Sequence, residues 1–224
     1  MSGLFIVLEG IDGSGKSTQF EELVKKLSNL NLEVIATREP GGTILSEAIR
    51  ELLLNRKEGK GMDQMAELLL FLAARAQLLN EVIRPALDKG AVVIADRFAL
   101  SSVAYQGGGR ELGTEWVAKI CCEVFQDTIP NLNILVDVQV DEGKKRRGGK
   151  KEDRMESAGD SFLRRVYEGY HQGAQYSSLG PTVIVNGKGK VEEVFATIWK
   201  EVGALQLEGR ALCDYEEKRV KGLL

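Results

Sequence analysis

The chain has 224 residues, enough for one domain with a large core. With 43% hydrophobic and 28% charged residues and a net charge of −3, it reads as an ordinary globular chain. Those values exclude a disordered tract and give no overall basic field of the kind a nucleic-acid partner needs. No apolar run approaches a membrane span, and Met1-Ser2-Gly3 leads into a strand without an export-signal pattern. The three cysteines suggest neither a disulfide framework nor a metal-spaced set, so a cytoplasmic setting is expected, without nucleic acid or membrane as partner.

Leu4-Phe5-Ile6-Val7-Leu8 is an apolar run suited to a buried strand. Gly10-Ile11-Asp12-Gly13-Ser14-Gly15-Lys16-Ser17 follows, and Phe20, Leu23, Val24 and Leu27 then fall at i, i+3, i+4 and i+7 of a helix. Strand, glycine-rich loop and amphipathic helix in that order turn the G-x-x-x-x-G-K-S pattern into a phosphate-binding loop. Its glycines let backbone N–H groups converge on phosphate oxygens, and the helix N-terminus adds a favourable dipole. Lys16 is expected to reach the β- and γ-phosphates and the Ser17 hydroxyl to ligate Mg²⁺. A nucleoside triphosphate is thus expected on Gly10 to Ser17 together with Thr18.

Leu32 to Thr37 reads as a second strand, ending at Arg38-Glu39-Pro40-Gly41-Gly42-Thr43. Proline and paired glycines make this a rigid loop that displays Arg38 and Glu39 at a strand's C-terminal end, the edge where open α/β sheets bind ligands. Leu45, Ala48, Ile49, Leu52 and Leu53 stripe a short helix, and Asn55 to Gly61 form a polar loop. A long helix is expected from Asp63 as N-cap, with Met65, Leu68, Leu69, Leu72 and Ala76 as its core face. Phe71 and Arg75, four apart, share a neighbouring face. Two readings stand for that pair: a base-stacking ring with an edge-reading guanidinium, or a core ring beside a surface arginine.

Pro85 and Gly90 bracket the end of the next helix, before the buried-strand run Ala91 to Asp96. A hydrophobic run closed by Asp96, downstream of a phosphate loop, has the look of a Walker-B acid that holds Mg²⁺ through water or accepts from Ser17. Arg97 follows at the same edge. Ser101, Ser102, Tyr105 and Gln106 fall at helical spacing on one pocket wall, and Gly107-Gly108-Gly109 are expected to break that helix as a mobile turn. Val117, Ile120, Cys121, Val124 and Phe125 stripe another helix, which makes Cys121 a core residue.

Asn133 to Val138 is a fourth strand. From Lys144 to Arg154 seven basic residues stand against Glu152 and Asp153. This run is either a solvated basic helix or patch, or, through Gly148-Gly149, a hinged cationic flap over the phosphates. Phe162, Val166 and Tyr170 continue as a helix, and His171, without an obvious partner, reads as structural. Pro181 to Asn186 form the fifth strand and Val191, Val194, Phe195, Ile198 and Val202 the closing helix, while the tail after Gly203 is mildly amphipathic and uninformative.

Strands and helices alternate throughout, which predicts a P-loop NTPase three-layer α/β/α sandwich around a five-stranded parallel sheet. The Gly10–Ser17 loop, Thr37-Arg38-Glu39-Pro40-Gly41-Gly42-Thr43, Phe71 with Arg75, Asp96-Arg97-Phe98 and Ser101 to Gly107 closely resemble thymidylate kinase, in register from about Phe5 to Asn186. The resemblance implies one kinase domain over residues 1–224 with a lid at about 142–156, transfer of the γ-phosphoryl of ATP to dTMP, and a homodimer. It implies that Asp12 contacts the 3′-hydroxyl or the monophosphate, and that Arg38 and Arg97, beside Glu39, bind the acceptor phosphate. It further implies that Phe71 stacks on thymine, Arg75 reads its edge, and Ser101, Ser102 and Gln106 complete the base pocket. Tyr105 would then crowd the 2′ position. No arginine lies within the phosphate loop, so the catalytic arginine is expected from the lid, as in the bacterial type, with Arg147 and Arg154 ranked above Arg146. A guanine-reading Asn-Lys-x-Asp motif, which a GTPase-like switch would need, is absent.

Overall fold

The computed structural model describes residues 3–56, 59, 61–148, 154–207 and 209–215. Five parallel strands, β1 (Leu4–Glu9), β2 (Val34–Arg38), β3 (Val92–Asp96), β4 (Leu132–Asp137) and β5 (Thr182–Asn186), form one sheet in the order β2-β3-β1-β4-β5. β1 is central and buried on both faces, so its alternation sorts the two layers. Leu4, Ile6 and Leu8 face the cluster closed by α1 (Lys16–Ser28) and α9 (Val191–Gly203). Phe5 and Val7 face the larger cluster under α3 (Gln64–Leu78), α6 (Thr114–Phe125) and α8 (Asp160–Gly173). The register pairs Leu8 with Asp96 and Glu9 with Leu135, which brings the ends of β1, β3 and β4 to one edge.

Asp63 caps α3 as expected, its carboxylate accepting from Met65 N and Ala66 N at 2.9 and 3.3 Å. The buried face of α3 is not the predicted one. Leu68 and Leu72 are buried, but Met65, Leu69 and Ala76 point outward, while Glu67, Ala74 and Arg75 are enclosed. The helix is apolar nearly all round, so periodicity does not choose a face; ion-pair partners for Glu67 and Arg75 do. In α2 (Ile44–Leu54), likewise, Leu53 is buried while Leu45 and Ala48 are exposed.

α3 continues through a π-helical stretch, Leu79–Ile83, into α4 (Arg84–Asp88). The wide turn stands just ahead of Pro85, which has no N–H for the i→i−4 ladder. A second π-helical stretch, Val103–Gly109, follows α5 (Ala99–Ser102) and corrects the expected mobile turn. A Cβ on Gly108 would stand 2.7 Å from the Arg165 carbonyl oxygen, and one on Gly109 2.6 Å from the Phe162 ring. The glycines therefore let α8 close onto this segment. The tail is not featureless either: β6 (Gln206–Leu207) and β7 (Arg210–Ala211) pair as a hairpin, and Leu207, Leu212 and Tyr215 are buried on the α1/α9 cluster.

Candidate active site

The phosphate loop leaves β1 and enters α1 at Lys16, with Gly13 and Gly15 in left-handed conformation at φ 82° and 92°. The space a Gly13 side chain would need is filled by the Gly143 carbonyl of α7 (Val140–Arg147), 2.1 Å from an ideal Cβ. The basic helix therefore abuts the loop directly. Lys16 is buried and ion-paired with Asp96, so one Asp96 oxygen goes to the lysine; no bond joins Asp96 to Ser17. Burial and the nearby Arg97 charge lower the Lys16 pKa. Ser17 and Thr18 are exposed, and Ser17 lines the same cavity as Asp96. Among the described residues no group of three or more acidic, thiol or imidazole side chains could hold a metal alone. The Ser17 hydroxyl and the second Asp96 oxygen are hard donors that fit a divalent cation sharing phosphate oxygens and water.

Arg97 stands at the end of β3 with a left-handed backbone, φ 74°. Its guanidinium donates to Asp12 Oδ1 at 2.8 Å, to the Tyr170 hydroxyl at 2.7 Å and to Ser101 Oγ at 3.2 Å, and lies over the Tyr105 ring. Burial alone would raise the Asp12 pKa, but Arg97 and Lys16 outweigh it and hold the carboxylate below its usual range. Beneath the arginine lies Glu9, fully buried. Its carboxylate accepts from Phe98 N at 2.8 Å, Ser101 N at 3.2 Å and Ser101 Oγ at 2.5 Å, and burial pushes its pKa up. Glu9 and Tyr170 shape this site and were not singled out from sequence. A carboxylate closing an apolar strand just before the phosphate loop was the available signal for Glu9; Tyr170 offered none beyond its core periodicity.

One cavity of about 260 Å³ runs from Asp12, Lys16 and Ser17 to a slot lined by Phe71, Arg75, Ser102, Tyr105 and Gln106. Arg75 is buried, not a surface residue. It donates to Glu39 Oε2 from Nε and Nη2 at 2.8 and 2.7 Å, and from Nη2 also to the Phe98 carbonyl and Ser102 Oγ. Burial opposes its charge, but the Glu39 carboxylate outweighs that and raises the Arg75 pKa. Nη1, which among the described residues meets only Cys121 Sγ, at 3.3 Å, is left toward the cavity. Burial pushes the Cys121 thiol up to about 11, in keeping with its core position. Among the described residues, Glu39 Oε1 is buried without a partner. Arg38 lines the cavity but is turned to Glu47, which it meets at 3.1 and 3.3 Å, and Arg50, unmarked by sequence, lines the same wall and donates to the Pro40 carbonyl.

The three lid arginines separate. Arg146 and Arg147 line the hollow over the phosphate loop, with Gly10's neighbours Ile11 to Thr18. Arg154 lies elsewhere: Nη1 is 2.7 Å from Glu67 Oε2 and Nε donates to the Leu53 carbonyl at 2.7 Å. Residues 140–147 are helical and Gly148 ends the helix in left-handed conformation; Gly149, Lys150, Lys151, Glu152 and Asp153 lie outside the described residues. His171, expected without a partner, pairs with Asp137 at 3.1 Å.

A phosphate loop, the buried Arg75 and the half-buried Arg97, opening into one cavity with an aromatic slot on a parallel sheet, define a P-loop kinase that takes a second, small acceptor. Relatives narrow the class. The family model for thymidylate kinase matches residues 8–198. Thymidylate kinase of Thermosipho melanesiensis is 46% identical over 195 residues, covering 87% of this chain and 95% of its own. That of Pseudomonas putida is 48% identical over 176 residues, 78% of this chain and 83% of its own. The crystal structure of thymidylate kinase from Ehrlichia chaffeensis superposes with a TM-score of 0.71 at 31% identity, covering 90% of this chain and 98% of that one. The chain belongs to the thymidylate kinase family.

Proposed function

We propose that the protein transfers the γ-phosphoryl group of Mg²⁺-ATP to dTMP, giving dTDP and ADP. The observation that carries the reading is the single cavity joining the phosphate-loop residues Asp12, Lys16 and Ser17 to the Phe71–Arg75–Gln106 slot. Donor phosphates would lie on Gly10 to Thr18, and the acceptor base beside Phe71 with its monophosphate toward Arg97 and Arg38. Phosphoryl transfer asks the protein for alignment and charge neutralisation rather than covalent chemistry. Lys16, released from Asp96 by a stronger anion, is placed to neutralise the transferred group. Arg97, oriented by Asp12 and Tyr170, screens the acceptor phosphate from the donor. Mg²⁺, held by Ser17 and Asp96, would supply further charge neutralisation at the donor phosphates.

The lid of this reading is about 142–156 in a single domain of residues 1–224. Arg147 is the favoured lid arginine because it lines the phosphate-loop hollow and its charge acts on Asp12; Arg146 lines the hollow as well, and Arg154 lies away from it at Glu67. A cytoplasmic homodimer fits the exposed apolar residues of α2 and α3, Ile44, Leu45, Met65 and Leu69, and the lack of any helix in the described residues long and apolar enough to cross a membrane. Steady-state ADP release with Mg²⁺-ATP and each nucleoside monophosphate in turn tests the proposal. Turnover is expected with dTMP, more weakly with dUMP, and hardly at all with CMP, GMP or AMP. A different preferred acceptor would overturn it.

A further inference from the structure

Glu67 is fully buried yet belongs to no role given so far. On α3 it shares a face with Phe71 and Arg75, at i, i+4 and i+8. Two rungs join this face to the segment opposite: Arg75 to Ser102 at 3.0 Å and Glu67 to Gln106 at 2.9 Å, with Phe71 between them in sequence. Both Glu67 oxygens are filled by donors. Oε1 accepts from Gln106 Nε2 and Arg110 Nε; Oε2 accepts from Arg110 Nη2 and is ion-paired with Arg154 Nη1.

A carboxylate so engaged can only accept, so the Gln106 amide has one orientation available, nitrogen toward Glu67. Its carbonyl oxygen is thereby left as the free end. Among the described residues no donor meets that oxygen, and Gln106 lines the cavity. We infer that Glu67 is a specificity-determining positioning residue, which fixes Gln106 as a hydrogen-bond acceptor toward the base slot. The inference rests on the proposed nucleotide acceptor. Thymine and uracil present an N3–H donor beside the O4 acceptor, which suits a Gln106 acceptor and an Arg75 donor. Cytosine presents the reverse pair, an N3 acceptor beside an amino donor, and leaves both protein groups mismatched.

The test is kcat/KM for dTMP, dUMP and dCMP in the wild type, Glu67→Gln, Gln106→Leu and the double variant, each checked for folding by thermal melting. Glu67→Gln lets the Gln106 amide turn over, so the dTMP:dCMP ratio is expected to fall by about tenfold or more. The dTMP:dUMP ratio and the KM for ATP should stay within about twofold of the wild type, because uracil shares thymine's edge. In the Gln106→Leu background, Glu67→Gln should leave the dTMP:dCMP ratio unmoved, since the effect runs through Gln106. If Glu67→Gln does not fold, Glu67→Asp, which keeps the charge for the two arginines but draws back from Gln106, should shift the ratio the same way. Equal losses on all three acceptors, or effects that add in the double variant, overturn the inference and leave Glu67 as an anchor for Arg110 and Arg154. A wild type that uses dCMP as well as dTMP overturns instead the acceptor reading on which it stands.

Discussion

Charges of alternating sign meet at the end of the central strands: Asp96 with Lys16, and Asp12 with Arg97. Each cation here loses much of its hydration, and the neighbouring carboxylates hold it in place; in the proposed reaction a phosphate would compete with them. Lys16, Ser17 and Arg97 were legible because each lies in a short local pattern tied to a strand end. Glu9, Glu67 and Tyr170 were not, because what defines them is a partner far along the chain, such as Phe98 for Glu9 or Gln106 for Glu67. Arg75 was legible as a candidate, but not its burial against Glu39. Glu9 carries a pH signature. Its native pKa lies above the ordinary 4.5, chiefly through burial, so the folded state holds this proton more tightly than the unfolded state. Its contribution to stability is fully present below about pH 4.5 and is lost as pH rises through the raised native value. Urea unfolding across that window should show wild-type stability falling with pH relative to Glu9→Gln. Parallel curves would contradict the assignment.

Among the elements, the pairing of α8 with the Val103–Gly109 stretch shapes the wall proposed for the acceptor, because Phe162 and Tyr170 of α8 pack against the Tyr105 ring. Gly169 of α8 makes this close approach: a Cβ there would stand 2.9 Å from Ala104 Cα and 3.0 Å from its carbonyl oxygen. Helix propensity favours alanine over glycine by about 1 kcal/mol, whereas overpacking against backbone atoms takes the upper part of its usual range, about 2–3 kcal/mol. Gly169→Ala is therefore expected to destabilise the fold by about 1–2 kcal/mol and lower Tm by roughly 2–8 °C. An unchanged or raised Tm would show that the two elements separate at little cost. Sequence marked the three glycines at 107–109 as a break because glycine favours turns. It could not show that α8 arrives more than fifty residues later and needs their missing side chains. The π-helical widening was equally hidden, since the i→i+5 pattern has no residue signature of its own.

In the whole molecule, alternation along β1 divides the core into two layers and leaves the strand ends to build the site. That much was legible, since five apolar runs separated by helical stripes admit few topologies. The tail was not. Its weak amphipathic pattern assigns no partner, and only the docking of Leu207, Leu212 and Tyr215 beside α9 reveals one. The α2 and α3 surface raises the other question of scale. Ile44 of α2 and Leu69 of α3 are 94% and 56% exposed and leave apolar surface in water on two helices that pack together. In the proposed homodimer this face is the contact, so Leu69→Glu should shift sedimentation from dimer to monomer. A wild type that sediments as a monomer at micromolar concentration would contradict the dimer. Phosphoryl transfer driven by charge held at Lys16, as proposed, is tested by following label from γ-labelled ATP in the presence of dTMP, for the wild type and Lys16→Ala. The label should appear in dTDP with the wild type, and kcat should fall by about a hundredfold or more in the variant. ATP binding without labelled dTDP, or near-normal turnover by Lys16→Ala, would contradict the account.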